Sequence, residues 1–362
     1  MRYDTGDIDV EADAELTPDA IELRPKTGPP LTIRYVDIDS ANAAQYRIRL
    51  QLFPRGEIDL YYFGQKYEAF CEDLFERRNA SLVKELFLAD RQRIATFKGR
   101  FTRIGAPAAE GRIDLFPRTI VFFPRWADPF FLRIAELAAV DPDVANYRVT
   151  VVADETIVVD RLGLRFEEFV ERLRRTREMM ERRCANMLDM LVPGAGALAP
   201  KMLDGEVIEP AAAGEFWTRL AALVCATDQR RASYAHVREI ATAPLWLGVK
   251  EIGGSDTDDL SEDPPPGTQH LLWYYAPVRD MAVHEVVSEE DHATYVYRAG
   301  VVGINRAWAS VQFRRAVLID PDSYPAAYRK LPRLRALAGS LVGRAIHNER
   351  WAEQVDALVS SS

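Results

Sequence analysis

Between residues 46 and 62 apolar and polar positions alternate. Ile48, Leu50 and Leu52 are interleaved with Arg49 and Gln51; Pro54, Arg55 and Gly56 make a turn; Ile58, Leu60 and Tyr62 resume the pattern. A period of two marks a half-buried strand, so this stretch predicts a hairpin. After Gly64 the period changes. Tyr67, Phe70, Cys71 and Leu74 fall at i, i+3, i+4 and i+7, one apolar stripe along a helix, with Glu68, Glu72, Asp73, Glu76 and Arg77 off it.

About a hundred residues later the chain writes the same pattern again. Val149 and Val151 alternate with polar neighbours, residues 153–155 supply a turn, and Ile157 and Val159 begin a second strand. Gly163 then precedes a helix with the stripe Phe166, Phe169, Val170 and Leu173. Tyr46 matches Tyr147, and the pair Phe63 and Gly64 matches Leu162 and Gly163. Both halves recur in the same order around the same glycine, which predicts a duplication. At each glycine a strand gives way to a helix, and a positive φ is expected there because glycine reaches it without steric cost.

Further strand-like pieces lie upstream, at 20–25 and 31–38 in the first copy and at 112–117, 119–124 and 130–137 in the second. Each copy is then several antiparallel strands closed by one C-terminal amphipathic helix. That order resembles the pleckstrin-homology-like (PH-like) domain, over about residues 12–180. The resemblance implies a strongly bent sheet or split barrel with the helix plugging one open end. It also implies a module that binds peptides along the open edge beside that helix, where an extended segment can add a strand.

The second stripe does not stop where the first does; it continues through Met180, Cys184, Met187 and Leu191. A helix over 164–191 would run about 42 Å. One small barrel cannot cover that length, so its far end is expected to pack on a third domain or to pair with another chain. Residues 193–200 are a Gly- and Pro-rich linker without charge. Beyond it, 214–226 reads as a helix with Phe216, Trp217, Leu220 and Leu223 inward, and 244–252 and 270–278 read as strands. The separator 253–267 holds five acids and three consecutive prolines, too little apolar surface to order itself. Residues 280–299 predict a hairpin turning at 288–291, and helices are expected from about 326 to the end. The fold class is therefore α+β: two tandem PH-like barrels (1–92 and 93–192) and a C-terminal α+β domain (193–362), whose strands followed by a helix are compatible with a diverged third copy.

Composition narrows the function classes. At 362 residues the chain suits two or three domains, and a net charge of −9 argues against a general nucleic-acid binder. Cys71, Cys184 and Cys225 form no CxxC pair and read as reduced packing thiols. The acidic first fifteen residues lack an apolar core, and no run of about 18 apolar residues follows, so a cytoplasmic protein is expected.

No GxxxxGK[ST], GxSxG or HExxH occurs, nor a GxGxxG after a strand, so neither a catalytic set nor a cofactor or metal is expected. His284, Glu285, Glu289, Glu290, Asp291 and His292 are the densest ligand-type cluster. A five-residue turn would bring the two histidines to one face, a four-residue turn would put them on opposite faces. Arg24, Lys26 and Arg34, with Arg118, Arg125 and Arg133 in the second copy, could reach an anionic ligand.

Aromatic excess is more informative. Phe122, Phe123, Trp126, Phe130 and Phe131 fall within ten residues, and Trp273 and Tyr274 sit in a similar run. A half-buried strand buries alternate positions, so adjacent phenylalanines must turn some rings outward unless another element covers them. These residues are the candidate partner-binding surface. The expected function is a non-enzymatic interaction or scaffold protein that binds a protein or peptide through its modules. The alternatives are docking to an anionic membrane through Arg24, Lys26 and Arg34, and a metal-dependent hydrolase centred on His284 and His292.

Overall fold

The two copies build the same sheet. In the computed structural model, which describes the chain apart from residues 7–8, 53–55, 86–92, 118, 135–136, 154, 192, 199–206, 209–214, 254–267, 288–291, 299–340 and 361–362, each is a curled antiparallel half-barrel followed by a helix. The first comprises β1 (Arg2–Asp4), β2 (Asp9–Leu16), β3 (Ala20–Pro25), β4 (Leu31–Arg34), β5 (Ile38–Ala44), β6 (Arg47–Leu52) and β7 (Glu57–Tyr61), then α1 (Tyr67–Glu85). The second comprises β8 (Ala95–Arg103), β9 (Ala109–Leu115), β10 (Thr119–Pro124), β11 (Phe130–Arg133), β12 (Ala139–Asp143), β13 (Arg148–Val152) and β14 (Thr156–Asp160), then α2 (Phe166–Leu191). The spatial orders are β4-β3-β2-β1-β7-β6-β5 and β11-β10-β9-β8-β14-β13-β12, the same permutation.

The repeated hairpins explain the repeated cores. Ile48 pairs with Leu60 and Leu50 with Ile58; Val149 pairs with Val159 and Val151 with Ile157. All eight side chains are buried, as the alternation requires. At the corner Gly64 has φ +58° and Gly163 φ +59°. Two residues earlier Tyr62 and Arg161 are also left-handed, at +58° and +56°, as are Tyr46 and Tyr147 at +61° and +49°. Tyr46 leans on Tyr67 at 5.2 Å and Tyr147 on Phe166 at 5.6 Å, so each helix begins beneath the same tyrosine.

Met1–Arg172 belongs to one compact unit, and the described residues from Leu173 onward belong to a second. Both half-barrels therefore lie in the first unit, and the boundary falls within α2. Tyr67, Cys71, Leu74 and Phe75 of α1 close the first core, and Phe169 of α2 meets Phe97 edge-on at 5.1 Å in the second. The far end of α2 serves the second unit, where Cys184, Met187 and Leu188 pack with Leu220, Val224, Val237 and Tyr274. The long stripe is thus covered by the C-terminal half of the chain.

In the second unit β15 (Val207–Ile208), β16 (Trp246–Gly253), β17 (Thr268–Val278), β18 (Met281–Val287), β19 (His292–Arg298) and β20 (Leu341–Ile346) lie side by side in chain order. That order of the described strands differs from the order in the two copies. The helices are α3 (Glu215–Val224), α4 (Asp228–Ile240) and α5 (Trp351–Val359). Two features depart from the sequence expectation. Residues 341–346, expected as helix, form a strand because their backbone completes the ladder along β19. Residues 228–240 form a helix whose first turn is capped by Thr227, the side chain accepting from the Arg230 N–H. Within the linker, residues 195–198 make a short helical turn, and the Gly196 N–H donates to Asp189 Oδ1 at 2.7 Å. Most of the separator, the turn at 288–291 and the helices expected over 326–340 lie outside the described residues. Among the described residues no helix is long and apolar enough to cross a membrane.

Beyond its chain neighbours, no heavy atom of the described residues lies within 4 Å of where a Cβ on Gly163 would sit, so a side chain there strains the backbone without clashing. Gly163→Val should therefore lower the stability of the full chain by about 1–3 kcal/mol in urea unfolding. Gly163→Asn should stay close to wild type, because asparagine tolerates the left-handed region.

Candidate functional site

β5 is one of the two outermost strands of the first sheet, and Arg78 of α1 reaches the carbonyl of its Asp39. After Ile38 the residues of β5 are small or polar, so the edge offers little but backbone. The Ala43 N–H donates to the carbonyl of Trp126 at 2.9 Å, and the Ala41 N–H donates to Asp128 Oδ1 at 3.1 Å. Both acceptors come from the turn between β10 and β11, in the second copy. The same turn is held by α1. Arg78 Nη2 reaches Asp128 Oδ1 at 2.7 Å, and Arg125 Nε and Nη2 donate to Glu72 Oε1 at 3.0 and 2.9 Å. The Trp126 ring meets Tyr67 edge-on at 5.9 Å. Residues 125–128 are therefore laid along a strand edge and clasped by the neighbouring helix.

The electrostatics of this contact are uneven. Arg125 and Glu72 are each 57% exposed, so their ion pair contributes little. Arg78 is fully buried and draws on Asp128 and on the carbonyl of Asp39, 3.4 Å from its Nη2, while its Nε and Nη1 make no hydrogen bond among the described residues. The buried Nε1 of Trp126 makes none either. Trp126 also has φ +59°, a costly conformation for a bulky side chain, held by what surrounds it. Burial pushes the Tyr67 phenol up to about 12 and the Cys71 thiol up to about 11, so both stay neutral near pH 7. The site supplies two backbone donors, a guanidinium, a carboxylate and an aromatic edge. These groups suit a main-chain carbonyl, an acid, a base and a ring.

The second copy treats the matching edge differently. Pro142 of β12 pairs with Val149 as Ala43 of β5 pairs with Ile48, so Pro142 stands where Ala43 stands. Proline has no N–H to donate, which blunts that edge.

The aromatic residues expected at a partner surface are divided by the structure. Phe122 and Phe123 are buried, one on each face of β10, which corrects their assignment to a surface. Phe122 stacks on Phe130 at 4.7 Å and meets Phe101 at 5.2 Å, while Phe123 lies beneath the Arg112 guanidinium at 4.3 Å. Phe130 and Phe131 are half-buried. Trp126 packs against the first copy of its own chain. Tyr274 is buried in the second core, and the side chain of Trp273 lies outside the described residues. The basic residues do not converge on one pocket. Arg24 pairs with Glu15 and Glu22, Lys26 with Glu11, and Arg34 with Asp37. Arg118 and the Arg133 side chain lie outside the described residues.

Val287 pairs with His292 across residues 288–291, so the register puts positions 284 and 292 on opposite faces of the sheet. A different polar cluster forms on the buried side. His347 Nε2 lies 2.6 Å from Glu285 Oε1 and 3.3 Å from Thr294 Oγ1. The Thr294 hydroxyl donates to Glu285 Oε2 and accepts from the Trp351 indole N–H at 2.6 Å. One ring nitrogen faces both the acid and the hydroxyl, so the imidazole does not bridge them as a proton relay would. This cluster fastens α5 to β18 and β19, and sequence reading missed it because Thr294, His347 and Trp351 belong to separate elements. Burial, and then the charge of Glu285, hold the Tyr274 phenol well above its usual range. Among the described residues no group of three or more His, Cys, Asp and Glu side chains could hold a metal ion.

No protein-family model and no curated protein matches this chain.

Removing Asp128 strands the buried Arg78, whereas removing Arg78 leaves only a partly exposed carboxylate behind. Asp128→Ala should therefore cost about 3 kcal/mol, and Arg78→Met distinctly less, in denaturant unfolding of the full chain.

Proposed function

We propose that the chain is a non-enzymatic interaction protein built on two PH-like copies, with the β5–α1 edge of the first copy as its ligand-receiving surface. The observation that carries this reading is the docked turn: strand edge and helix together grip a short stretch of protein through Ala41, Ala43, Arg78, Glu72 and Tyr67. The shared strand order, with one closing helix in each copy, supports the PH-like assignment. Extended ligands of such modules gain affinity from main-chain hydrogen bonds and specificity from side-chain contacts. The membrane alternative gains no support from Arg24, Lys26 and Arg34, each paired with a carboxylate of its own. The hydrolase alternative gains none from histidine positions on opposite faces.

A photo-crosslinking residue at the exposed Asn42 of β5, introduced in the producing cell, tests the reading. It should give discrete protein adducts that the same residue at the exposed Arg298 does not give. Identical adduct patterns from the two positions would sink the proposal.

A further inference from the structure

We infer that the β5–α1 edge is selective for a basic–aromatic–any–acidic segment, and that residues 125–128 of the chain are its resident, replaceable occupant. The inference rests on the interaction reading above and adds the chemistry and the regulation of that edge.

Selectivity follows from the clasp. The basic position meets Glu72, the aromatic meets Tyr67, and the acid meets both the Ala41 N–H and Arg78. The Ala43 N–H reads the carbonyl of the aromatic position, and nothing in the clasp reads the side chain of the third. Only the first copy offers this set, because Pro142 removes the matching donor from the second.

Replaceability follows from how poorly the resident occupant fits. A guanidinium has five N–H donors. Asp128 and the Asp39 carbonyl both engage Nη2 alone, and the buried Nε and Nη1 are left unbonded. Trp126 leaves its own buried N–H unbonded and holds a left-handed backbone. A separate segment, free of the hairpin that forces this geometry, can present its carboxylate to more of Arg78 and its aromatic in a relaxed conformation. The turn competes because it is tethered, at an effective concentration on the order of millimolar. Binding in trans is therefore weak while the turn is seated and rises when it is loosened.

The test uses the full chain and a fluorescein-labelled peptide of residues 124–130, read by anisotropy. Trp126→Ala loosens the turn yet leaves Asp128, Arg78 and the edge donors in place. The Trp126→Ala chain should bind the peptide at least about ten-fold more tightly than wild type does. Adding Ala43→Pro to that chain, or replacing the aspartate of the peptide with alanine, should abolish the gain. Circular dichroism confirms folding; should the Trp126→Ala chain fail to fold, Asp128→Ala takes its place. A folded loosened chain that binds no better than wild type overturns the inference, as does binding indifferent to Ala43→Pro. Adducts at Asn42 without peptide binding would leave the interaction reading standing and remove this selectivity. Peptide binding without such adducts would do the reverse.

Discussion

An unpaired strand edge beside a helix is the constraint on which the first unit turns. Such an edge exposes backbone donors and acceptors that invite another chain, and folded proteins cover or blunt it. Both remedies occur here, one in each copy. β5 is covered by a turn borrowed from the second copy, and β12 is blunted by Pro142. Covering β5 dictates the hairpin that supplies the turn. Phe122, Phe130 and Phe101 pack its stem together, and the tip carries a tryptophan in a conformation it would otherwise avoid. The aromatic density of residues 122–131 is the mark of that stem and tip.

What could be read from the sequence follows from what each residue buries. Hairpins β6–β7 and β13–β14 bury every second side chain, so a period of two betrays them, and the change to a helical period locates the corner at Gly64 and Gly163. The length of the stripe on α2 foretold a second core for its far end, and Met187 and Leu188 lie there. The strands that frame the candidate site escaped because their contribution is backbone. β5 reads as serine, asparagine and alanines, and β12 holds a proline, so neither shows an apolar rhythm. Trp126 was visible as an aromatic in excess, yet nothing local says that its neighbour is Tyr67, some sixty residues earlier.

In the second unit a single turn length separates two readings of the same residues. With four residues between Val287 and His292, position 284 faces away from position 292, and Glu285 falls on the face that packs beneath α5. Its partners arrive from β19, from the residue after β20 and from the first turn of α5. A buried carboxylate needs bonding partners, and this one has an imidazole and a hydroxyl, the latter bonded in turn to an indole. The cluster fixes where the last helix docks, a placement that the apolar contacts of Val355 alone specify less sharply.

The asymmetry between the copies bears most directly on function. Glu72 and Arg78 lie eight and fourteen residues after Gly64, and Glu171 and Arg177 hold the same places after Gly163. The charged pair of the clasp is thus present on both helices, so it does not by itself set the first copy apart. The difference is one backbone donor. Ala43 keeps an N–H where Pro142 has none, and that N–H is what holds the Trp126 carbonyl to the edge. Without that donor the edge of the second copy cannot repeat the hydrogen bond that Ala43 makes. The second copy has instead become the source of the segment that the first one holds.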